Sequence, residues 1–368
     1  MHSPKILIIN PFGIGDVIFS TPLVQALREN YPGSFIGYIC NKRAREVLGS
    51  NPNLSKIFVY EKDEYRAAWE RSKVGCLKMI RAFFADIRKE RFDIVIDLSL
   101  SYQYSLISKF IGIKQRLGFN YRNRGKFLTK KIDIDGFNEK HVIEYYCDML
   151  RLLGIDPDRF SNSPKVHIKD QDIVWANEFF KSNGAKEGDL VIGVIPGCGA
   201  SWGADANHRR WDREGFARVC DGLAERYGAK VVLLGDRNEV AICEEIQGML
   251  KHKAIMSCGK TNLRNFLGLI SRCKLIVTND GGPLHMAVGL GISTVSIFGP
   301  VDEKIYGPYP PSSNHIVISK TEMKCRPCYR KFKHNVCEER PCLKDIGPEE
   351  VLKAVECLLS RSGKKVAV

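Results

Sequence analysis

At 368 residues the chain is longer than one hydrophobic core usually organises, and its 44% hydrophobic and 27% charged residues exclude a fibrous or disordered polymer. No apolar run reaches the roughly 18 residues needed to span a bilayer, and the opening MHSPKILIINPFG enters a strand pattern with no charged leader, so a soluble, cytoplasmic protein is expected. Lys and Arg outnumber Asp and Glu to give a net charge of +14, which points to an acidic partner: nucleic acid, an anionic membrane surface or phosphorylated small molecules.

Short β-branched runs alternate with longer helical patterns from end to end, the pattern of parallel sheets covered by helices. In the first half strands are expected at 5–10, 34–40, 56–60 and 92–98. After strand 5–10 comes NPFGIGDVIFSTPLVQALRENYP, in which Gly13 and Gly15 let backbone approach a ligand and Asp16 stands in the first turn of a helix. Ile18 occupies the third glycine position of a dinucleotide fingerprint, and the second strand ends in Cys40 and Asn41 with no acid for a ribose, which weighs against NAD. Asp16 is either a simple N-cap or a general base at the carboxyl ends of the strands, where ligands of open α/β sheets sit. Pro22 must kink this helix or restart it.

Two further stretches of the first half are basic. Residues 66–91 carry Leu77, Ile80, Phe84 and Ile87 at helical spacing, and residues 114–131 hold seven Lys or Arg and no acid, interleaved with Phe119, Tyr121 and Phe127. Such stretches are solvated faces, RNA contacts or surfaces for an anionic lipid. A helical stretch followed by the polar loop with Gly184 and Gly188 separates the halves, giving domains at 1–170 and 171–345, with a C-terminal helix and tail at 346–368.

The second half repeats the alternation, with strands expected at 190–196, 230–236, 254–258, 274–280 and 294–300. PGCGASWGADANHRRW, residues 196–211, ends in Arg209 and Arg210, whose guanidinium groups match phosphate oxygens in pairs. Glu239, after strand 230–236, stands where ribose hydroxyls bind. Asp280 closes strand 274–280; Gly281 and Gly282 then lead to Pro283, suited to the first helical position, and to His285 one turn in. Free amides at such a helix start form a phosphate cradle. His285 is either a core histidine or a ligand contact.

Most of the 13 cysteines stand singly in apolar stretches (Cys40, Cys147, Cys220, Cys243, Cys273), which favours a reducing compartment. Cys325, Cys328, Cys337 and Cys342 are grouped; the two pairs can close a structural zinc tetrahedron, but the spacer is short for a zinc ribbon, and the reading stays open.

Together GIGDVIFSTPLVQALRENYP, RRWDREGFARVCDGLAERYGAKVVLLGDRNE and TNDGGPLHMAVGLGISTVSIFGP, followed by CRPCYRKFKHNVCEERPCLKDIGPEEV, resemble the lipopolysaccharide ADP-heptose heptosyltransferases of glycosyltransferase family 9 over nearly the whole chain. The resemblance implies an α/β fold with two Rossmann-like domains facing across a cleft, the GT-B glycosyltransferase architecture. It implies an inverting, metal-independent enzyme that needs no cofactor and moves heptose from the donor ADP-heptose to the lipopolysaccharide inner core, a Kdo-lipid A or heptosyl acceptor. By position, Asp16 matches the base on the acceptor hydroxyl, with Gly13 and Gly15 on the acceptor side; Arg209 matches a phosphate contact, Glu239 the ribose contact, and Asp280, Gly281, Gly282 and His285 the donor loop. The family commonly has Ser at the place of Gly281 and often Lys at that of Arg209. The partners implied are a nucleotide-sugar, a lipid-linked acidic saccharide and an anionic membrane surface, with no nucleic acid, for a protein peripheral at the cytoplasmic face of the inner membrane. Rival readings are another nucleotide-sugar donor, a sugar-nucleotide epimerase of the same architecture, and a basic RNA-binding protein.

Overall fold

The structure is a computed structural model, and it describes residues 3–199, 203–335 and 337–361. The chain divides into two compact units, Met1–Pro164 and Lys165 onward. The first is built on six parallel strands, β1 (Lys5–Ile9), β2 (Phe35–Cys40), β3 (Lys56–Val59), β4 (Ile94–Asp97), β5 (Gln115–Tyr121) and β6 (Lys130–Ile134), in the order β3-β2-β1-β4-β5-β6. The second has β7 (Val191–Ile195), β8 (Lys230–Leu233), β9 (Ile255–Met256), β10 (Leu275–Asn279), β11 (Ser293–Phe298) and β12 (His315–Ser319), all parallel, in the order β12-β11-β10-β7-β8-β9. Counted from its own first strand, each unit has the order of a doubly wound Rossmann sheet. In each, strand order reverses once, between β1 and β4 and between β7 and β10, and these switch points are where ligands of such sheets bind.

The central strands are apolar throughout because helices cover both faces: β1, β4, β7 and β10 are almost wholly buried. Strands β5, β6 and β12 were not foreseen. In β5 the stretch expected to form a basic surface buries Leu117, Phe119 and Tyr121, while its cations stand at the ends and in the following turn. β6 lies at the sheet edge with two exposed lysines, so it lacks the apolar run of a central strand.

The helix opening the first unit breaks at Ser20 into Ile14–Phe19 and Thr21–Asn30, with Pro22 in the first turn of the second piece, where its missing amide costs nothing. Helix Lys73–Glu90 is capped by Ser72, whose Oγ accepts from the Gly75 amide at 3.1 Å. It buries Ile87 with Phe83 and Phe84 beside it in the first core, but Leu77, at helical spacing with Phe84 and Ile87, is 56% exposed. Helix Asp170–Ser182 lies in the second unit, and helix Pro348–Arg361 buries Val351, Leu352, Val355 and Leu358 in that unit's core.

Candidate active site

In the first unit the loop after β1 is tied down by buried amides. Asn10, fully buried, donates from Nδ2 to the Asp16 carbonyl at 3.1 Å and accepts from the Phe12 amide at 3.2 Å; Asn41 donates to the Phe12 carbonyl at 2.6 Å. Gly13 is the N-cap of helix Ile14–Phe19, so Asp16 is the third helical residue, half-buried, and is not the capping residue. A carboxylate there is stabilised by the positive end of the helix.

Across the switch point the structure brings up a residue that sequence reasoning missed. Asp97 ends β4 beside Ile9 of β1, is buried, and accepts the Ser99 amide at 3.0 Å. Burial pushes its carboxyl up to about 6, against the pull of the Ser99 hydrogen bonds. Only part of a signal was present: an acid closes an apolar strand, as Asp280 does, but without the glycines and proline that follow Asp280.

The second unit joins Arg209 and Asp280 at its own switch point. Arg209 donates from Nε and Nη2 to Oδ2 of Asp280 at 3.1 and 2.5 Å, and both side chains are buried. Burial raises the Asp280 pKa and Arg209 opposes the rise. Asp280 Oδ1 is buried with no hydrogen-bond partner among the described residues. Arg210, the more exposed of the two arginines, donates to Asn207 Oδ1 at 2.9 Å and leaves its buried Nε without a partner among the described residues.

Asn279 fixes the strand end behind this pair: Nδ2 donates to the carbonyls of Pro196 and Gly197 at 2.8 and 3.2 Å, and Oδ1 accepts from the Trp211 amide at 3.0 Å. Helix Gly282–Gly289 then opens with Gly281 as its N-cap and Pro283 as its second residue, one position later than expected. A Cβ on Gly281 would collide with the Cys198 carbonyl, so glycine is needed for the close approach of the two loops. Its neighbour Gly282 contributes one of the first free amides of the helix, and His285 is buried within it.

Glu239 is placed differently from a free ribose contact. It is buried, Oε1 accepts the amides of Cys198 and Gly199 at 3.1 and 3.0 Å, and Oε2 accepts that of Asp236 at 3.0 Å. A Cβ at Gly197 would overlap its carboxylate. Glu239 therefore stitches the loop after β7 to the loop after β8 and leaves little of the carboxylate for a ligand. Arg340 adds a further tie, donating to the carbonyls of Asn207 and Arg210 at 2.6 and 3.3 Å. A cavity of about 300 Å³ opens beside Arg210, lined also by Trp211, Arg213 and Arg340. Part of the loop at 196–211, residues 200–202, lies outside the described residues.

Cys325, Cys328, Cys337 and Cys342 converge on a pocket of about 20 Å³ shared with Arg340. All thirteen cysteines are free thiols, and among the described residues no group of three or more His, Cys, Asp or Glu side chains is arranged to hold a metal ion. Burial pushes the Cys342 thiol up to about 11, and the neighbouring cysteines add to the rise.

Each of the two doubly wound sheets gathers polar loops at its switch point, where open α/β sheets bind ligands. The chain is 26% identical over 365 residues, 96% of its length and 99% of the relative's, to lipooligosaccharide heptosyltransferase 2 of Campylobacter jejuni. Its fold matches a glycosyltransferase family 9 structure from Veillonella parvula with a TM-score of 0.80 at 24% identity, covering 98% of both chains. It matches the ADP-heptose lipopolysaccharide heptosyltransferase II of Escherichia coli with a TM-score of 0.75 at 23% identity, covering 98% of this chain and all of that one. The family model described as glycosyltransferase family 9 (heptosyltransferase) matches residues 80–337, which takes in β4 and most of the second unit. The chain belongs to glycosyltransferase family 9, the heptosyltransferase family.

Proposed function

We propose that this glycosyltransferase moves heptose from ADP-heptose to the inner core of lipopolysaccharide. The observation that carries the reading is the Arg209–Asp280 pair, buried beside the opening of helix Gly282–Gly289 with Asp280 Oδ1 unsatisfied among the described residues. A buried carboxylate oxygen without a donor costs stability unless a ligand hydroxyl supplies one. Beside it, guanidinium groups and helix-start amides supply the positive charge that a diphosphate needs. Two of the proteins named above, those of Campylobacter jejuni and Escherichia coli, are heptosyltransferases, the second for ADP-heptose, which supports the choice of sugar and nucleotide.

In this reading Asp16 takes the proton of the acceptor hydroxyl as its oxygen forms a bond to the anomeric carbon. The bond from that carbon to the diphosphate oxygen breaks on the opposite face, ADP leaves with the electron pair, and the anomeric configuration inverts. Arg209, Arg210 and the amide of Gly282 stabilise the departing charge, preorganised electrostatics that require no metal and no cofactor. Glu239 acts by holding the Cys198–Gly199 loop in place. The enzyme works at the cytoplasmic face of the inner membrane, where its lipid-linked acidic acceptor is anchored, and among the described residues no helix is long and apolar enough to cross a membrane.

The test is incubation of purified protein with ADP-heptose and Kdo-lipid A or its heptosylated form, with and without chelator, following ADP release and acceptor mass. A heptose-sized mass gain that survives the chelator, with inverted configuration at the new linkage, supports the whole reading. Intact acceptor and no ADP would reject this donor and acceptor pair and direct the search to other nucleotide-sugars.

A further inference from the structure

Helix Lys73–Glu90 presents a face that nothing among the described residues covers. Val74, Leu77, Lys78, Arg81 and Arg88 fall along one stripe at spacings of three to four residues and their multiples, and all are exposed, Val74 by 63%. The helix carries two acids, Asp86 and Glu90, and both are drawn away from this stripe by Lys56 of β3, whose Nζ lies 3.0 and 2.9 Å from them. Lys78, Arg81 and Arg88 have no ion pair among the described residues. The outward stripe is therefore cationic and apolar with no acid in it, over a helix about 27 Å long.

Both ends of the stripe extend this character. At the start, Trp69 of helix Lys62–Arg71 is 46% exposed with Lys73 Nζ 5.9 Å from its ring centre. At the far end Arg88 enters a groove of about 590 Å³ that also holds Arg91 and Lys114 over an apolar floor of Phe92, Ile111 and Ile113. Phe110, beside that groove in sequence, is 77% exposed. Asp93 is the one acid lining the groove among the described residues, and it accepts the Lys5 amide at 2.9 Å.

We infer that this face is the membrane-docking surface of the protein, with the helix Lys73–Glu90 lying along an anionic bilayer. Trp69, Val74 and Leu77 enter the acyl boundary, the cations meet lipid phosphates, and the groove at Arg88, Arg91 and Lys114 seats a headgroup. A solvated face explains the cations alone, and an RNA contact would use the cations with Trp69 and Phe110 but gives no use to exposed Val74 and Leu77, whereas an amphipathic interfacial helix uses all of them. The inference rests on the reading of a lipid-linked acceptor. In the crossover from β3 to β4 this helix runs back from the carboxyl edge of the sheet, so its apolar end lies toward the edge that carries the Asp16 loop.

The experiment is flotation of the full chain with vesicles of phosphatidylcholine alone and of phosphatidylcholine with phosphatidylglycerol in equal parts. The parent is expected to float with the anionic vesicles only, and to be released by salt. Lys78→Gln and Arg81→Gln are expected to weaken binding about fivefold each. Leu77→Ser weakens it as well, and brominated lipid quenches emission in the parent more than in Trp69→Phe. Equal binding to both vesicle types, or binding unchanged in the double glutamine variant, overturns the inference. So does an RNA oligonucleotide whose binding falls in that variant while vesicle binding does not. Transfer to a water-soluble acceptor is measured in parallel: it is expected to be unchanged in the variants. If the parent shows no transfer yet floats as expected, the docking surface stands and the proposed reaction falls.

Discussion

Arg209 directs two of its nitrogens, Nε and Nη2, onto the same oxygen of Asp280 and leaves the other oxygen of that carboxylate buried without a donor among the described residues. The pair is thus a structural brace with one functional face. Asp280→Asn removes the charge opposite a buried guanidinium, and breaking one side of such a pair costs about 3–5 kcal/mol of stability. Arg209→Lys keeps the charge but cannot make the two-nitrogen contact, so a smaller stability loss and a rise of about tenfold in donor KM, near 1.4 kcal/mol, are expected. Urea unfolding and donor kinetics on both variants check this. An Asp280→Asn protein as stable as the parent would show that the pair does not brace the site.

Asp16 stands in the first unit, apart in sequence from every residue proposed to hold the donor. A base acting on the acceptor hydroxyl contributes about 10²–10⁴-fold to turnover. Asp16→Asn should therefore lower kcat by that factor and leave donor affinity, measured by calorimetry with ADP, unchanged. Near-parent kcat would remove Asp16 from the chemistry, and a parallel loss of ADP affinity would make it a residue of donor binding.

Much of this architecture was legible in the sequence, for identifiable reasons. Central strands buried on both faces read as apolar runs, so β1, β2, β4, β7, β10 and β11 stood out, and Pro22 announced the helix break at Ser20. β5 escaped because its cations cluster around three buried side chains, Leu117, Phe119 and Tyr121, and the charge masked the alternation. Glu239 was singled out for a ribose, whereas its carboxylate holds backbone amides. The amides it accepts at Cys198 and Gly199 lie some forty residues earlier, and no local pattern reports a contact made by two loops meeting. Asp97 was overlooked because a lone acid at a strand end, without glycines after it, carries no motif. The helical spacing of Leu77, Ile80, Phe84 and Ile87 marked the helix but not which of them are buried, because spacing does not say whether anything packs on a face, and Leu77 is exposed.

The glycine at position 281 follows from packing, not from the needs of the ligand. A Cβ there meets the carbonyl of Cys198, and backbone cannot yield as a flexible side chain would. Gly281→Ser, which introduces the residue common at this place in the family, should cost about 1–3 kcal/mol by overpacking and raise donor KM. Denaturant unfolding and donor titration give both numbers. If the serine variant is as stable as the parent and binds ADP more tightly, the loop has room to move and the hydroxyl contact outweighs the collision.

Asp97 makes folding sensitive to pH in a direction opposite to that of a salt-bridged carboxylate. Its carboxyl rises from an ordinary 3.8 to about 6 because burial disfavours the charged form. A group that holds its proton more tightly when folded stabilises the fold while protonated. That contribution is complete below 3.8, declines as pH rises, and is gone above about 6. The difference amounts to about 3 kcal/mol at most. Asp97→Asn keeps the Ser99 amide supplied with an acceptor but has no proton to lose. Urea unfolding of both proteins across this window cancels the titration of all other groups in the difference. The variant should gain on the parent by about 3 kcal/mol between the acid and neutral ends. Parallel profiles would mean that water reaches the Asp97 carboxylate and that its burial does not govern its ionisation.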